Sequence, residues 1–403
     1  MIKLHRKRRK KKIIKGILFA ILLLGVVGGF CYYKEFIKKN TKEEKKTVEK
    51  KKMINRIEDD EVKQSIFKKE YKRAVEIVSN MTLKEKIGQL FLVRYEKNDV
   101  EYLSNFTPGG YILFAKDFNK ETKEEMIEEI KKAQSLHKYG LILGVDEEGG
   151  YVTRISRYKI YREDRFLSPK SYFEEGGYPL LEKMENEKYE LLKSLGINLN
   201  LAPVADISTN SEDFINNRAF GYGAKETSEF VGKMVEYANN NGISSCLKHF
   251  PGYGNNKDTH TGSAVDERSY ENFIENDFLP FEAGIKKNVP SILVSHNIVK
   301  SMDEEYPASL SKKVMNELRN TLHFTGVITT DDLSMDAVKE YVEKQQAATL
   351  AINAGIDMIM TSNFLPMYHE ILDGVESKTI KEETINKAAL RVIAWKLHSK
   401  IMK

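Results

Sequence analysis

Leu141-Ile142-Leu143-Gly144-Val145-Asp146-Glu147-Glu148-Gly149-Gly150 turns from wholly apolar to acidic within one residue and then stops at two glycines. A short apolar run without alternation reads as a strand buried on both faces, and a glycine pair reads as a sharp turn. The pattern recurs outward in both directions. Apolar runs fall at 89–93, 110–114, 141–145, 198–204, 244–247, 291–294, 326–329 and 357–360. Between most of them lie stretches of helical periodicity, such as Lys123–Leu136 and Glu226–Asn239. Thr82, with Glu85 three residues on, has the spacing of a capping box at the start of the regular part. Buried parallel strands alternating with helices, eight times over, predict an α/β fold of the (β/α)8 TIM-type barrel class. A doubly wound open sheet is the alternative, but no Gly-rich phosphate fingerprint follows the first run and no Walker-type loop occurs.

The strand ends are polar. The third run ends in Asp146-Glu147-Glu148, the fourth in Asp206, the fifth in Lys248-His249, the sixth in Ser295-His296 and the seventh in Asp331-Asp332. A single acid there can be a helix cap. Five polar ends in succession point instead to chemistry at the C-terminal face of a barrel.

Charge and cysteine content narrow the class. The net charge is +5, but nine Lys/Arg fall within residues 1–15, which leaves the remainder at −4. A nucleic-acid footprint is therefore not supported. Only Cys31 and Cys246 occur, and Cys31 lies in an apolar N-terminal run, so the body has no internal disulfide pair, thiol redox pair or cysteine zinc site. Cys246, beside a strand end, reads as a small core residue.

Residues 16–33 hold an uncharged run, Ile17 to Tyr33, preceded by basic residues and closed by Tyr32-Tyr33. Its length reaches the lower limit of a membrane-spanning helix. The positive-inside rule puts residues 1–15 in the cytoplasm and the rest outside. We expect an uncleaved single-pass anchor in the cell membrane; cleaved secretion is the alternative, although Phe30, Cys31 and Tyr32 make a poor cleavage site. Residues 34–70 are dominated by Lys and Glu and read as a charged stalk. The barrel is expected over 71–403.

Lys248-His249-Phe250-Pro251-Gly252-Tyr253-Gly254-Asn255-Asn256-Lys257-Asp258-Thr259-His260 runs from a strand end into a loop. Asp258 and His260 alternate with one residue between them, so an extended loop puts both side chains on one side. A carboxylate beside an imidazole raises its pKa, which suits a proton donor. Read alone, the segment also fits a polar surface loop. His249, His296 and Asp331 can be drawn as metal ligands, but no His-x-His or His-Glu-x-x-His spacing is present. A glycosidase needs a nucleophile or base on one face of the sugar and a proton donor on the other. Asp331 on a strand end and His260 on a loop divide the work that way.

The chain resembles glycoside hydrolase family 3 over roughly residues 75–400, and within it the single-barrel bacterial β-N-acetylglucosaminidases. The resemblance rests on Met81–Gln89, Gly144–Gly150, Asn217-Arg218-Ala219-Phe220-Gly221, the Lys248–His260 loop, Pro307-Ala308-Ser309-Leu310-Ser311 and Thr330-Asp331-Asp332-Leu333-Ser334-Met335. It implies that Asp331 is the nucleophile, His260 the general acid/base and Asp258 its orienting partner. It implies that Asp146, Arg154, Arg218, Lys248 and His249 hold the sugar hydroxyls, and that Asp332 is structural. No metal or organic cofactor is implied. The implied substrate is a glycan ending in β-1,4-GlcNAc, such as a muropeptide or cell-wall fragment. A phosphorylase, a β-glucosidase or an inactive wall-binding module are the other readings. Tyr253 stands where relatives often have His, and Tyr151 where Arg often follows the glycine pair. No second α/β domain of the kind that supplies a carboxylate acid/base in larger relatives is expected. Adjacent strand residues point to opposite faces, yet the resemblance turns both Lys248 and His249 to the sugar. A distorted backbone is therefore expected over Lys248–Pro251, a non-proline cis bond being one form of it.

Overall fold

A computed structural model describes residues 34, 57–256, 264–339 and 346–402. The expected membrane span, most of the expected stalk, and Asp258 and His260 lie outside these residues. Among the described residues no helix is long and apolar enough to cross a membrane.

Eight strands form one sheet: β1 (Phe91–Arg94), β2 (Gly110–Leu113), β3 (Ile142–Val145), β4 (Leu199–Asn200), β5 (Ser244–Phe250), β6 (Ser291–Val294), β7 (Val327–Thr330) and β8 (Ile359–Thr361). From β1 to β7 each pairs in parallel with the next in sequence, and β8 pairs in parallel with β1. A parallel bridge from Thr329 to Met358 brings β7 to the start of β8, which makes a nearly closed barrel. All eight expected runs are strands. Strands β2, β3, β6 and β7 are buried at every position, as uninterrupted apolar sequence between helix and barrel interior requires.

The register sets the rim. Leu113 pairs with Val145, so Asp146 follows at the end of β3; Val294 pairs with Thr330, so Ser295 and Asp331 lie level. On β5 the register shifts between Leu247 and Phe250, and the Lys248–His249 peptide bond is cis. The distortion expected over Lys248–Pro251 is present.

The outer helices form where periodicity and caps coincide. Thr82 Oγ1 accepts from the Glu85 amide at 3.2 Å and Glu85 Oε2 accepts from the Thr82 amide at 2.8 Å, the reciprocal bonds of a capping box. Helix Ala224–Asn241 buries Phe230, Val231, Met234, Val235 and Ala238 on one face and stops at Gly242 in the left-handed conformation. Full burial of a side chain such as Phe230 is worth about 2 kcal/mol.

The expected boundary at residue 71 is too late. The compact unit begins at Ile57. Ile57, Val62 and Phe67 are buried, and the Ile66 amide donates to Thr325 Oγ1 at 3.3 Å, just before β7. Surrounding Lys and Glu mask three apolar residues that reach the N-terminal floor of the barrel. Cys246 is a core residue, its thiol pushed up to about 12 by burial.

Candidate active site

Above the C-terminal ends of the strands lies a cavity of about 600 Å³, lined among others by Asp146, Arg154, Arg218, Lys248, His249 and Asp331. Six of the eight residues expected at the site therefore share one cavity. Asp258 and His260, the other two, are outside the described residues.

The three acids after β3 do three different things. Asp146 Oδ1 accepts from Lys248 Nζ at 2.7 Å, and its Oδ2 accepts from Arg154 Nη2 at 3.3 Å. Glu147 turns away from the cavity. Its carboxylate accepts from the backbone amides of Arg154 and Ile155 at 2.7 Å each and from that of Ser156 at 3.2 Å, and so fixes the loop that carries Arg154. Glu148 Oε1 lies 2.6 Å from Lys248 Nζ, and its two oxygens take a bidentate pair from Arg218 at 2.7 and 3.1 Å. The turn that makes this possible needs glycine. Gly149 has φ +100°, and a Cβ there would lie 2.3 Å from the Leu167 carbonyl oxygen.

The electrostatics follow from burial against pairing. Burial opposes the charge on Asp146, but Lys248 and Arg154, with Arg218, outweigh it and hold the carboxyl below the usual range. Burial likewise disfavours ionised Glu148, yet Lys248 and Arg218 bring it down to about 2. Burial disfavours the charge on Lys248; Asp146 and Glu148 outweigh it and push its pKa above that of an ordinary lysine. The result is a set of fixed charges, alternating in sign, suited to hydrogen-bonding a polyhydroxylated ligand.

His249 is held from behind. Asp206, in the segment that follows β4, accepts from His249 Nδ1 at 2.7 Å, from the His249 amide at 3.1 Å and from the Tyr253 amide at 2.8 Å. Arg218 Nη2 lies 3.2 Å from His249 Nε2. A guanidinium can only donate, so Nε2 accepts and the ring carries its proton on Nδ1. Tyr253 is buried, and its ring meets that of His249 edge-on at 5.5 Å. Tyr151 and Phe214 line the cavity at its exposed edge; Tyr151 is 78% exposed.

Asp331 follows β7 directly. Its amide donates to the Val294 carbonyl at 3.1 Å, and its Oδ1 accepts from the Asp332 amide at 2.8 Å. Asp332 also lines the cavity, but its carboxylate accepts from the amides of Ser334 at 2.8 Å and Ser362 at 3.1 Å and ties the β7 loop to the β8 loop. His296 uses Nδ1 on Ser309 Oγ at 2.7 Å and Nε2 on the Asp332 carbonyl at 3.1 Å, which occupies both ring nitrogens in positioning that loop. Among the described residues no group of three or more His, Cys, Asp or Glu is arranged to hold a metal ion.

Two residues of this cluster were not singled out by the sequence reading. Glu148 is the last of three consecutive acids that sequence alone does not tell apart. Asp206 reads only as a polar strand end, because its partner His249 lies 43 residues away and nothing local links them.

Residues 82–395 match the family described as Glycosyl hydrolase family 3 N terminal domain. A beta-hexosaminidase of Methylococcus capsulatus is 27% identical over 73% of this chain and 88% of its own length. One of Idiomarina loihiensis is 30% identical over 68% of this chain and 82% of its own length. The solved family 3 beta-N-acetylglucosaminidase of Paenibacillus sp. FPU-7 superposes with a TM-score of 0.73 at 26% identity, over 80% of this chain but only 63% of that longer one. The matched stretch runs from the capping box at Thr82 to the last helix outside the barrel, and the chain belongs to glycosyl hydrolase family 3.

Proposed function

We propose that the chain is a retaining exo-β-N-acetylglucosaminidase that removes terminal β-1,4-GlcNAc from peptidoglycan-derived glycans. The observation that carries this reading is the placement of Asp331 on a rigid strand end, in one cavity with Asp146, Arg154, Arg218, Lys248 and His249. The relatives named beta-hexosaminidase and beta-N-acetylglucosaminidase support the choice of sugar. In the first step an Asp331 oxygen attacks the anomeric carbon. The glycosidic bond breaks, and the leaving oxygen takes a proton from the His260 imidazolium, which Asp258 stabilises. In the second step neutral His260 takes a proton from water as that water attacks the same carbon and frees Asp331. Asp146, Lys248, Arg218 and His249 hold the sugar through both steps. Residues 16–33 would anchor the barrel on the wall side of the membrane, where such glycans occur.

The test is turnover of aryl β-GlcNAc and aryl β-glucoside, each with and without phosphate. Faster release from the GlcNAc substrate, unchanged by phosphate, is expected; sugar 1-phosphate as product would replace hydrolase by phosphorylase. Asp331→Asn should lower kcat/KM by about 10³-fold or more, the scale of losing a group that acts as part of a catalytic unit. A variant that turns over at the wild-type rate excludes Asp331 as nucleophile.

A further inference from the structure

The chain leaves β5 at Phe250, passes Gly252 and Gly254 and reaches Asn256; it returns at Ala264 and enters a short parallel ladder in which Val265–Asp266 pairs with Ile298–Val299. Arg268 joins the outgoing and returning stems. Its Nη2 donates to the Gly252 carbonyl at 3.2 Å and to Asp266 Oδ2 at 2.7 Å. Its Nε lies 3.0 Å from both Asp266 oxygens. Its Nη1 reaches Asp277 Oδ1 at 3.0 Å and Oδ2 at 2.9 Å. Asn256 Nδ2 adds a bond to Asp266 Oδ2 at 2.7 Å and one to the Tyr253 carbonyl at 2.8 Å.

The backbone is packed directly onto this network. A Cβ on Gly252 would lie 2.2 Å from Asp277 Oδ1, and one on Gly254 would lie 2.5 Å from Arg268 Cζ. Asp266 and Asp277 are almost wholly buried. The returning stem is tied to the barrel rim by the Ile298 amide on the Ala264 carbonyl at 2.8 Å and the Lys300 amide on the Asp266 carbonyl at 3.0 Å. None of these groups lines the cavity. A network this dense at the two ends of one loop fixes the separation and direction of the stems.

We propose that Arg268, with Asp266, Asp277 and Asn256, is a positioning device for the reaction: it fixes both stems of the segment in which Asp258 and His260 lie, and so sets where the proton donor meets the leaving oxygen. This rests on the assignment of His260 as general acid. Burial disfavours ionised Asp277 and Arg268 only partly offsets it, leaving its carboxyl pushed up to about 6, so the pair depends on the guanidinium staying in place.

The test compares kcat/KM, which reads the first step, for phenyl β-GlcNAc and 2,4-dinitrophenyl β-GlcNAc. The phenolate needs a proton from the enzyme and the dinitrophenolate does not. Arg268→Lys should lower kcat/KM about 10²-fold on the phenyl substrate, the scale of a catalytic group misplaced by an ångström, and leave the dinitrophenyl value within about threefold. Asn256→Ala, which removes only the amide link, should show the same selectivity at about tenfold. In a His260→Ala background neither change should cost more on the phenyl substrate, because the group it positions is gone. Equal losses on both substrates, or full losses in the His260→Ala background, would overturn the proposal. If Arg268→Lys does not fold, Asn256→Ala decides by the same comparison. The acid assignment fails separately: His260→Ala would then itself lower both substrates equally.

Discussion

Glu148 shows what a single buried carboxylate does here. It is the shared partner of Lys248 and Arg218, with side-chain exposures of 4%, 2% and 13%. Glu148→Gln keeps the shape and removes the charge, leaving Lys248 to Asp146 and Arg218 to the more distant Asp146 and Asp206 carboxylates. The expected cost is about 3 kcal/mol of stability by urea unfolding at pH 7, with a raised KM for the GlcNAc substrate. Unchanged stability would mean that Asp146 and Asp206 compensate both cations without Glu148. That Glu148 is the linchpin was not legible from sequence. Three consecutive acids look equivalent on paper; Asp146 was separable through the family resemblance, and the roles of the next two depend on a turn that sends Glu147 to backbone amides and Glu148 to side chains. Asp206 was illegible for another reason, since its role is defined by His249 on the neighbouring strand β5 and Tyr253 on the loop that follows it.

At the level of elements the strands were legible because a parallel barrel strand is buried on both sides and leaves an uninterrupted apolar run. Their ends were less so. The run expected over 198–204 is a strand only at Leu199–Asn200, since Pro203 has no amide to give the ladder. The strand expected to stop at Leu247 continues to Phe250, whose partner is Val294. The turn after β3 is an element in its own right. It delivers Glu148 to its cations, and it closes through the Gly149 amide on the Val152 carbonyl at 3.1 Å. Gly149→Ala places a methyl against the Leu167 carbonyl at a φ that only glycine adopts freely. It should cost about 2 kcal/mol and reduce kcat/KM, because the segment from Glu148 to Arg154 must shift. Thermal unfolding with parallel kinetics checks both; a variant with native Tm and native activity would show that the loop absorbs the methyl elsewhere.

Across the whole barrel, two buried lysines mark opposite ends and answer pH in opposite ways. At the rim Lys248 sits between two carboxylates, which keep it charged. Burial opposes ionisation of its partner Glu148, but Lys248 and Arg218 hold that carboxyl down to about 2 from the ordinary 4.5, so its contribution is complete above 4.5 and is lost as pH falls toward 2. On the opposite side Lys396, wholly buried, meets only neutral acceptors among the described residues, Gln89 Oε1 at 2.6 Å and the Gly140 carbonyl at 2.8 Å. Burial alone lowers its pKa from 10.5 to about 7. The unfolded chain then binds more protons than the folded one between pH 7 and 10.5, so this group makes stability rise with pH across that window. Below pH 7 its full penalty is present; above 10.5 it vanishes. Lys396→Met removes the titration but orphans the Gln89 and Gly140 acceptors, a loss that does not vary with pH. The variant should therefore gain on the wild type as pH is lowered from 10 to 6, read from urea midpoints at pH 6, 8 and 10. A wild-type-minus-variant difference that stays constant over that range would show that Lys396 keeps its proton in the folded barrel. The Gln89 and Gly140 acceptors would then suffice to hold the charge buried at the floor, without the carboxylates that hold the charge at the rim.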